Sequence, residues 1–203
     1  MKTVTDIEVL ERLYGVPAKQ SVFKEVDHLH PAYRPFIEAS PFVTLATCGP
    51  DGMDVSPRGD PAGFVVIEDE HTLLLPDRRG NNRIDSLRNI LTEPRVALLF
   101  LVPGVNETLR VNGRASIVIE PSLLERFTFE GKQPRSVLHI TVESVYFQCS
   151  RALIRSELWN PARHVPRSAL PSNGKMLAEI SQGTFDGDGY DRDLPDRVKS
   201  TLY

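Results

Sequence analysis

Asp54-Val55-Ser56-Pro57-Arg58-Gly59-Asp60, Pro76-Asp77-Arg78-Arg79-Gly80-Asn81-Asn82-Arg83 and Glu107-Thr108-Leu109-Arg110-Val111-Asn112-Gly113 are three polar, arginine-bearing turns separated by apolar runs. The layout predicts strands of one sheet that deliver donors to one anion. In the middle stretch a strand ends at Leu75 and a helix begins near Arg83, with Asn82 as the expected N-cap. Free amides of a first helical turn, and the helix dipole, favour negative charge there. The guanidinium forks of Arg78, Arg79 and Arg83 match phosphate oxygens, and Gly80 permits close backbone approach. Ser56 and Arg58 stand at the end of one strand, and Thr108 and Arg110 near the start of another. Each turn has a plain alternative: a solvated basic turn held by Asp77 and Asp85, a local Arg58–Asp60 ion pair, an exposed strand arginine. Taken together, so many arginines around Gly- and Pro-shaped loops favour an anion.

Working outward, Thr5-x-x-Glu8 reads as a capping box, followed by a helix with Ile7, Leu10, Leu13 and Tyr14 on one face and Gly15 as its stop. Residues 16–31 read as loop, and Pro31 to Ala39 as a second helix. From Ser40-Pro41 the periods become strand-like. Strands are expected over Phe42–Cys48, Met53–Arg58, Gly63–Ile67, Thr72–Leu75, Val96–Val102, Thr108–Glu120 and Val137–Cys149. The unbroken apolar run from Val96 predicts a strand buried on both faces. Helices are expected over Arg83–Glu93, Pro121–Glu130, Ser150–Trp159 and Gly174–Gly183. The polar stretch Asp186–Asp191 reads as a tail that orders only against a partner. Strands without regular helix alternation point to an antiparallel β-barrel with added helices, not a doubly wound sheet. The expected division is a helical segment packed on the barrel over 1–39, the barrel over 40–160 and a C-terminal extension over 161–203.

The chain has 203 residues, 40% hydrophobic and 25% charged, which suits a globular domain with extensions. Its net charge of −3 argues against a general nucleic-acid or anionic-membrane binder. The N-terminus lacks the apolar core of a signal peptide, and no apolar run is long enough to span a bilayer. Cys48 and Cys149 lack metal-ligand spacing and read as reduced thiols, so a cytoplasmic location is expected. Asp27-His28-Leu29-His30 reads as a surface loop in preference to a metal site, and no GxGxxG or P-loop is present.

The three turns, with Gly63-Phe64-Val65, Asp85-Ser86-Leu87, Asn89-Ile90 and Phe147-Gln148-Cys149-Ser150-Arg151-Ala152, resemble the pyridoxamine 5′-phosphate oxidase-like flavoproteins. More narrowly, they resemble a bacterial subgroup of FMN-dependent enzymes of unassigned substrate. The resemblance covers about residues 5–160. It implies a split β-barrel and a homodimer with FMN at the subunit interface. By position, the family's phosphate-binding basic residues fall on Arg58 and Arg83, with Arg79 and Asn82 close enough to assist. Leu75 and Pro76 match the strand segment along the flavin ring. Ser56, Asp77 and Arg78 complete the expected cofactor-binding set on this chain. Thr108 stands where relatives often carry a glutamine, five residues before a strand glycine, and is a shorter reach to the ring. Trp159 matches an aromatic that comes from the partner subunit, beside either Arg155 or Arg163. The C-terminal signature of the vitamin B6 oxidases is not recognisable.

The resemblance implies an FMN-dependent oxidoreductase acting on a small-molecule substrate, with no metal, nucleic-acid or membrane partner. The alternative on the same barrel is a non-catalytic flavin- or haem-binding protein. No general acid or base is identifiable, and hydride transfer through a flavin needs none.

Overall fold

A computed structural model describes residues 1–203. Seven strands form one antiparallel sheet: β1 Phe42–Gly49, β2 Gly52–Gly59, β3 Val66–Ile67, β4 Thr72–Asp77, β5 Arg95–Leu101, β6 Thr108–Val118 and β7 Ser136–Gln148. Their spatial order is β2-β1-β5-β6-β7-β4-β3. The edge strands β2 and β3 do not pair with each other, so the barrel is split, as expected. Alternation explains the core. Val43 and Leu45 of β1, Val96, Leu98 and Phe100 of β5 and Leu109 and Val111 of β6 point inward and are buried in one cluster. Ile140, Val142 and Val145 of β7 close it.

The expectation that β5 is buried on both faces is corrected. Only alternate residues are buried; Ala97, Leu99 and Leu101 on the other face are half-buried. A continuous apolar run therefore marks here a strand with one face in the core and one apolar face left near the surface.

Eight α-helices surround the sheet: α1 Ile7–Tyr14, α2 Lys19–Phe23, α3 Arg34–Glu38, α4 Asp85–Thr92, α5 Pro121–Arg126, α6 Arg151–Ser156, α7 Asn173–Ile180 and α8 Gly187–Thr201. The cap of α1 is Asp6, not Thr5; its carboxylate accepts from the amides of Glu8 and Val9 at 2.7 and 3.2 Å. α1 buries none of its residues in the single chain. Docking of the N-terminal region begins at Val26, which exchanges both main-chain hydrogen bonds with Val145, and continues through buried Leu29 and Ile37.

The polar stretch after Phe185 is not a tail. Asp186 caps α8 by accepting from the Gly189 amide at 2.9 Å. Gly174 and Gly187 face each other where α7 and α8 cross, and a Cβ on either would strike the other's carbonyl oxygen. Gly174 N–H also donates to Asp191 at 2.7 Å. The helix pair returns the chain to the connection between α5 and β7, where the Tyr203 ring lies tilted against Phe129 at 4.7 Å.

No helix is long and apolar enough to cross a membrane.

Candidate functional site

β2 alternates so that Asp54, Ser56 and Arg58 lie on one side and Met53, Val55 and Pro57 on the other. Its first set faces the loop that follows β4. Register brings Asp77 opposite Ser136, the first residue of β7. The β2 side chains, the loop from Asp77 to Ile84, the first turn of α4 and Arg135-Ser136 enclose a cleft of about 470 Å³. Its lining is overwhelmingly polar; Ile84 and Leu87 are the only hydrophobic residues in it.

The loop is held in an unusual backbone. Asn82 and Ile84 both take left-handed conformations, at φ of 60° and 54°. For a β-branched residue this costs on the order of 1–3 kcal/mol, and such strain concentrates at binding loops. It also corrects the expected cap. Ile84, not Asn82, precedes the first turn of α4 and offers no side-chain acceptor. The Asn82 amide oxygen instead accepts from Arg135 Nη1 at 3.0 Å. The uncapped first turn, at Asp85, Ser86 and Leu87, lines the cleft with its dipole directed there.

Five arginines line the cleft; besides Arg135, the other four are in different states. Arg78 donates from Nε to Asp60 at 2.7 Å and from Nη1 to the Phe127 carbonyl at 2.6 Å. It is a structural strut at the edge of the cleft. Arg83 donates from Nε to Asp85 at 2.8 Å and is largely exposed. Arg79 makes no ion pair. Arg58 is the most informative. Its Nη2 lies a loose 3.7 Å from Asp77 Oδ1, and its Nε is buried without any hydrogen-bond partner. A buried donor left unpaired costs about 1–3 kcal/mol, which an anion's oxygen in the cleft would recover.

Asp77 sits among these cations, yet burial pushes its carboxyl above the usual range, against the opposing pull of Arg58 and Arg135. A raised folded-state value contributes stability that is fully present below the unfolded value and lost as pH rises through the folded one. Asp77→Asn should therefore raise the melting temperature at neutral pH, with the gain disappearing on acidification. Thermal melts at pH 7 and pH 4 check this. Loss of stability at pH 7 would mean that the Arg58 attraction outweighs burial.

Ser56 is less free than its position suggests. Ser86 Oγ donates to Asp54 Oδ2 at 2.9 Å and lies 3.0 Å from Ser56 Oγ. The carboxylate fixes the Ser86 proton, so Ser56 donates to Ser86 and has no second proton to offer. In this arrangement it ties β2 to α4.

The remaining expected residues do not reach the cleft in one chain. Leu75 and Pro76 are buried in β4 and lead into it without lining it. Thr108 is buried and pairs with Gln148, at the end of β7 opposite Ser136. Trp159 donates from Nε1 to the Val105 carbonyl at 2.8 Å, in the loop just before β6. Arg163 pairs with Glu157. Conversely, sequence reasoning passed over Arg135 and Ser136. Both enter the site from more than fifty residues beyond the loop, after Gln133-Pro134, with no motif to announce them.

The donor set fits the phosphate end of a flavin mononucleotide: an orphaned guanidinium Nε, a free arginine and an uncapped helix terminus. The polar lining of the cleft offers no bed for a flat apolar ring. His28, His30 and His71 cluster on the surface at ring separations of 5.9 and 6.2 Å, and no group of three or more His, Cys, Asp or Glu is arranged to hold a metal.

Among solved structures, the chain is similar to a single-substitution variant of HupZ of Group A Streptococcus at 17% identity and TM-score 0.49, covering 59% of this chain and 99% of that one. It is similar to General Stress Protein 26 of Bacillus anthracis at 17% identity and TM-score 0.43, covering 56% and 88%. A Clostridium acetobutylicum protein related to general stress protein 26, of the pyridoxinephosphate oxidase family, matches at 16% identity and TM-score 0.46, covering 58% and 85%. No curated protein matches the chain. The family profile described as pyridoxamine 5′-phosphate oxidase matches residues 29–149. With the split antiparallel barrel and more than half of the sequence matched, the chain belongs to the pyridoxamine 5′-phosphate oxidase family.

Proposed function

We propose that the protein is an FMN-dependent oxidoreductase acting on a small molecule, and that it works as a homodimer. The observation that carries this reading is Arg58: a buried, unpartnered guanidinium nitrogen beside an uncapped helix start, in a basic cleft of a flavoprotein-family barrel. In this reading Arg58 and Arg79 hold the phosphate, with Arg83 exchanging Asp85 for it and Asn82 shaping the loop through Arg135. Bound flavin would supply hydride chemistry at its ring; the chain's residues hold and orient it.

The second subunit enters for two reasons. Thr108 and Trp159, which match the family's ring-side positions, lie at the far end of β7 from the cleft and reach a flavin only on another chain. The outer face of the sheet also lacks a cover. Val55, Ala46, Ala97 and Asn112 form one cross-strand row, and Pro57, Thr44, Leu99 and Arg110 the next. Met53 is 80% and Val55 64% exposed on the edge strand. The apolar part of this face, Val55, Ala46 and Ala97 with Pro57 and Leu99, gives way to the polar Asn112 and Arg110 on β6, a mixed surface that suits an isologous contact with a second copy.

Purified protein should carry, or take up, FMN with an oxidised-flavin absorbance spectrum and quenched flavin fluorescence. A colourless protein that leaves added FMN fluorescence untouched would sink the proposal. Flavin that stays oxidised with every nicotinamide and thiol donor, or a Soret band instead, would favour the non-catalytic binder. Sedimentation of wild type should show a dimer. Val55→Glu should give a folded monomer that binds flavin at least about tenfold more weakly, the scale of one lost contact of about 1.4 kcal/mol. A flavin-loaded wild-type monomer would refute the shared site.

A further inference from the structure

Tyr203 lies outside the residues 29–149 that the family profile matches, yet it sits beside the cleft with Arg78, Arg79 and Arg135 around it. Three contacts hold it there. Its hydroxyl donates to Asp60 Oδ1 at 2.8 Å, its ring lies against Phe129 at 4.7 Å, and its main-chain oxygen accepts from Lys132 Nζ at 2.9 Å. The seat is built on a tight turn. Phe129 and Lys132 exchange both main-chain hydrogen bonds, at 3.0 and 2.9 Å, around Glu130 and Gly131. These two central residues have φ of 47° and 74°, the backbone of a two-residue hairpin turn. The turn presents the Phe129 ring and the Lys132 ammonium together. From the other side, the close crossing of Gly174 and Gly187 and the hydrogen bond from Gly174 to Asp191 aim α8 at this seat.

Asp60 links the seat to the cleft. Its side chain is 2% exposed, and its oxygens are divided between two donors: Oδ1 takes Tyr203 and Oδ2 takes Arg78 Nε at 2.7 Å. A carboxylate buried in this way needs donors on both oxygens, and leaving one bare is costly. Arg78 is fixed in turn, since its Nη1 also donates to the Phe127 carbonyl at 2.6 Å. Arg78 is the residue just before the loop of Arg79 to Arg83. The far end of that loop is held by Asn82 on Arg135 and by Arg83 on Asp85. Arg79 and Gly80 make no main-chain hydrogen bond, so the side chain of Arg78 holds the near end.

We propose that Tyr203 is a positioning residue of the phosphate cleft: by holding Asp60 on Arg78, it fixes the loop on which Arg79 to Arg83 meet the anion. The proposal rests on the reading of the cleft as a phosphate site. Tyr203 itself touches no ligand in this scheme; it acts through Asp60 and Arg78. Without the hydroxyl, one buried Asp60 oxygen has no donor. The carboxylate must then turn toward water or another donor, and Arg78 follows it.

The test compares wild type with Tyr203→Phe, which keeps the ring on Phe129 and the main-chain oxygen on Lys132 and removes only the hydroxyl. FMN titrated into flavin-free protein should bind the variant about fivefold more weakly, the scale of one hydrogen bond. In an Arg78→Gln background the same change should move FMN affinity by less than about twofold, because the route through Arg78 is already cut. Tyr190→Phe is the control on the same helix; Tyr190 makes its contacts, to Phe185 and Arg197, through its ring, and its variant should bind FMN as wild type does. Unchanged FMN affinity in Tyr203→Phe, or an equal loss in both backgrounds, overturns the proposal. A second readout needs neither flavin nor the Arg78 variant. Trypsin should cut after Arg79 and Arg83 about fivefold faster in Tyr203→Phe than in wild type, while cutting after Arg114 in β6 keeps its wild-type rate. Equal rates at the loop, or faster cutting at Arg114 as well, overturn the proposal. If wild type takes up no FMN, the phosphate reading has failed, and the cleavage rates still decide whether Tyr203 fixes the loop.

Discussion

Arg58→Ala should weaken FMN binding by about 2–3 kcal/mol, the range for losing charge-assisted hydrogen bonds from a largely buried guanidinium. Fluorescence titration checks this against wild type. The effect is expected to exceed that of Arg83→Ala, although both residues match phosphate-binding positions of the family. Arg83 lies exposed and already paired with Asp85, so binding phosphate merely exchanges one acceptor for another. Arg58 has no such acceptor at its Nε, and its loose contact with Asp77 satisfies little of its donor capacity. Its removal takes away both the hydrogen bonds and the only cation delivered by β2. Arg58→Lys should recover little, because an ammonium keeps the charge but loses the planar fork. Equal losses for Arg58→Ala and Arg83→Ala, or full rescue by lysine, would place the phosphate nearer the helix than the strand.

The residues that made the barrel legible are those whose structural role is local. Alternation in β1, β6 and β7 fixes which side chains face the core, and a one-residue slip would turn every one of them outward. Gly15 ends α1 and Gly52 turns the chain into β2, both by adopting positive φ. The site was legible in part for the same reason: the strand of Ser56 and Arg58 and the loop of Arg79 to Arg83 are contiguous stretches that meet at one end of the barrel.

What stayed hidden depends on partners distant in sequence. The neighbours Arg58 and Asp60 invite an ion pair, yet they do not form one. Strand alternation sends Arg58 into the cleft, while Asp60 lies beyond the strand end and takes Arg78 instead. Asn82 has the right chemistry for a cap, but a left-handed Ile84 intervenes, a conformation no propensity would assign to isoleucine. The α7–α8 contact runs through two glycines, so it leaves no apolar period to read. Tyr203 reaches Asp60 across 143 residues, and nothing near either residue signals the other.

Gly113→Val should destabilise the protein by about 3 kcal/mol or more, read as a lower denaturant midpoint or as loss of soluble protein. Gly113 lies at the one register shift of the sheet. Asn112 pairs with Ser144 and Gly113 with Val142, which leaves Glu143 as the extra residue of a bulge on β7. The bend drives Gly113 so close to the Thr141 carbonyl that a Cβ would overlap its oxygen. That oxygen belongs to the backbone of a strand paired on both sides and cannot swing away as a side chain could. β6 also lies between β5, which carries the outer apolar face, and β7, whose first residues close the cleft. Displacing β7 should therefore disturb the subunit contact and the phosphate site together. Ser116→Ala, on the exposed side of the same strand, is the control and should stay within about 0.5 kcal/mol of wild type. A Gly113→Val protein with an unchanged midpoint would show that β6 and β7 can part without cost, and that the bulge does not fix the geometry on which the cleft depends.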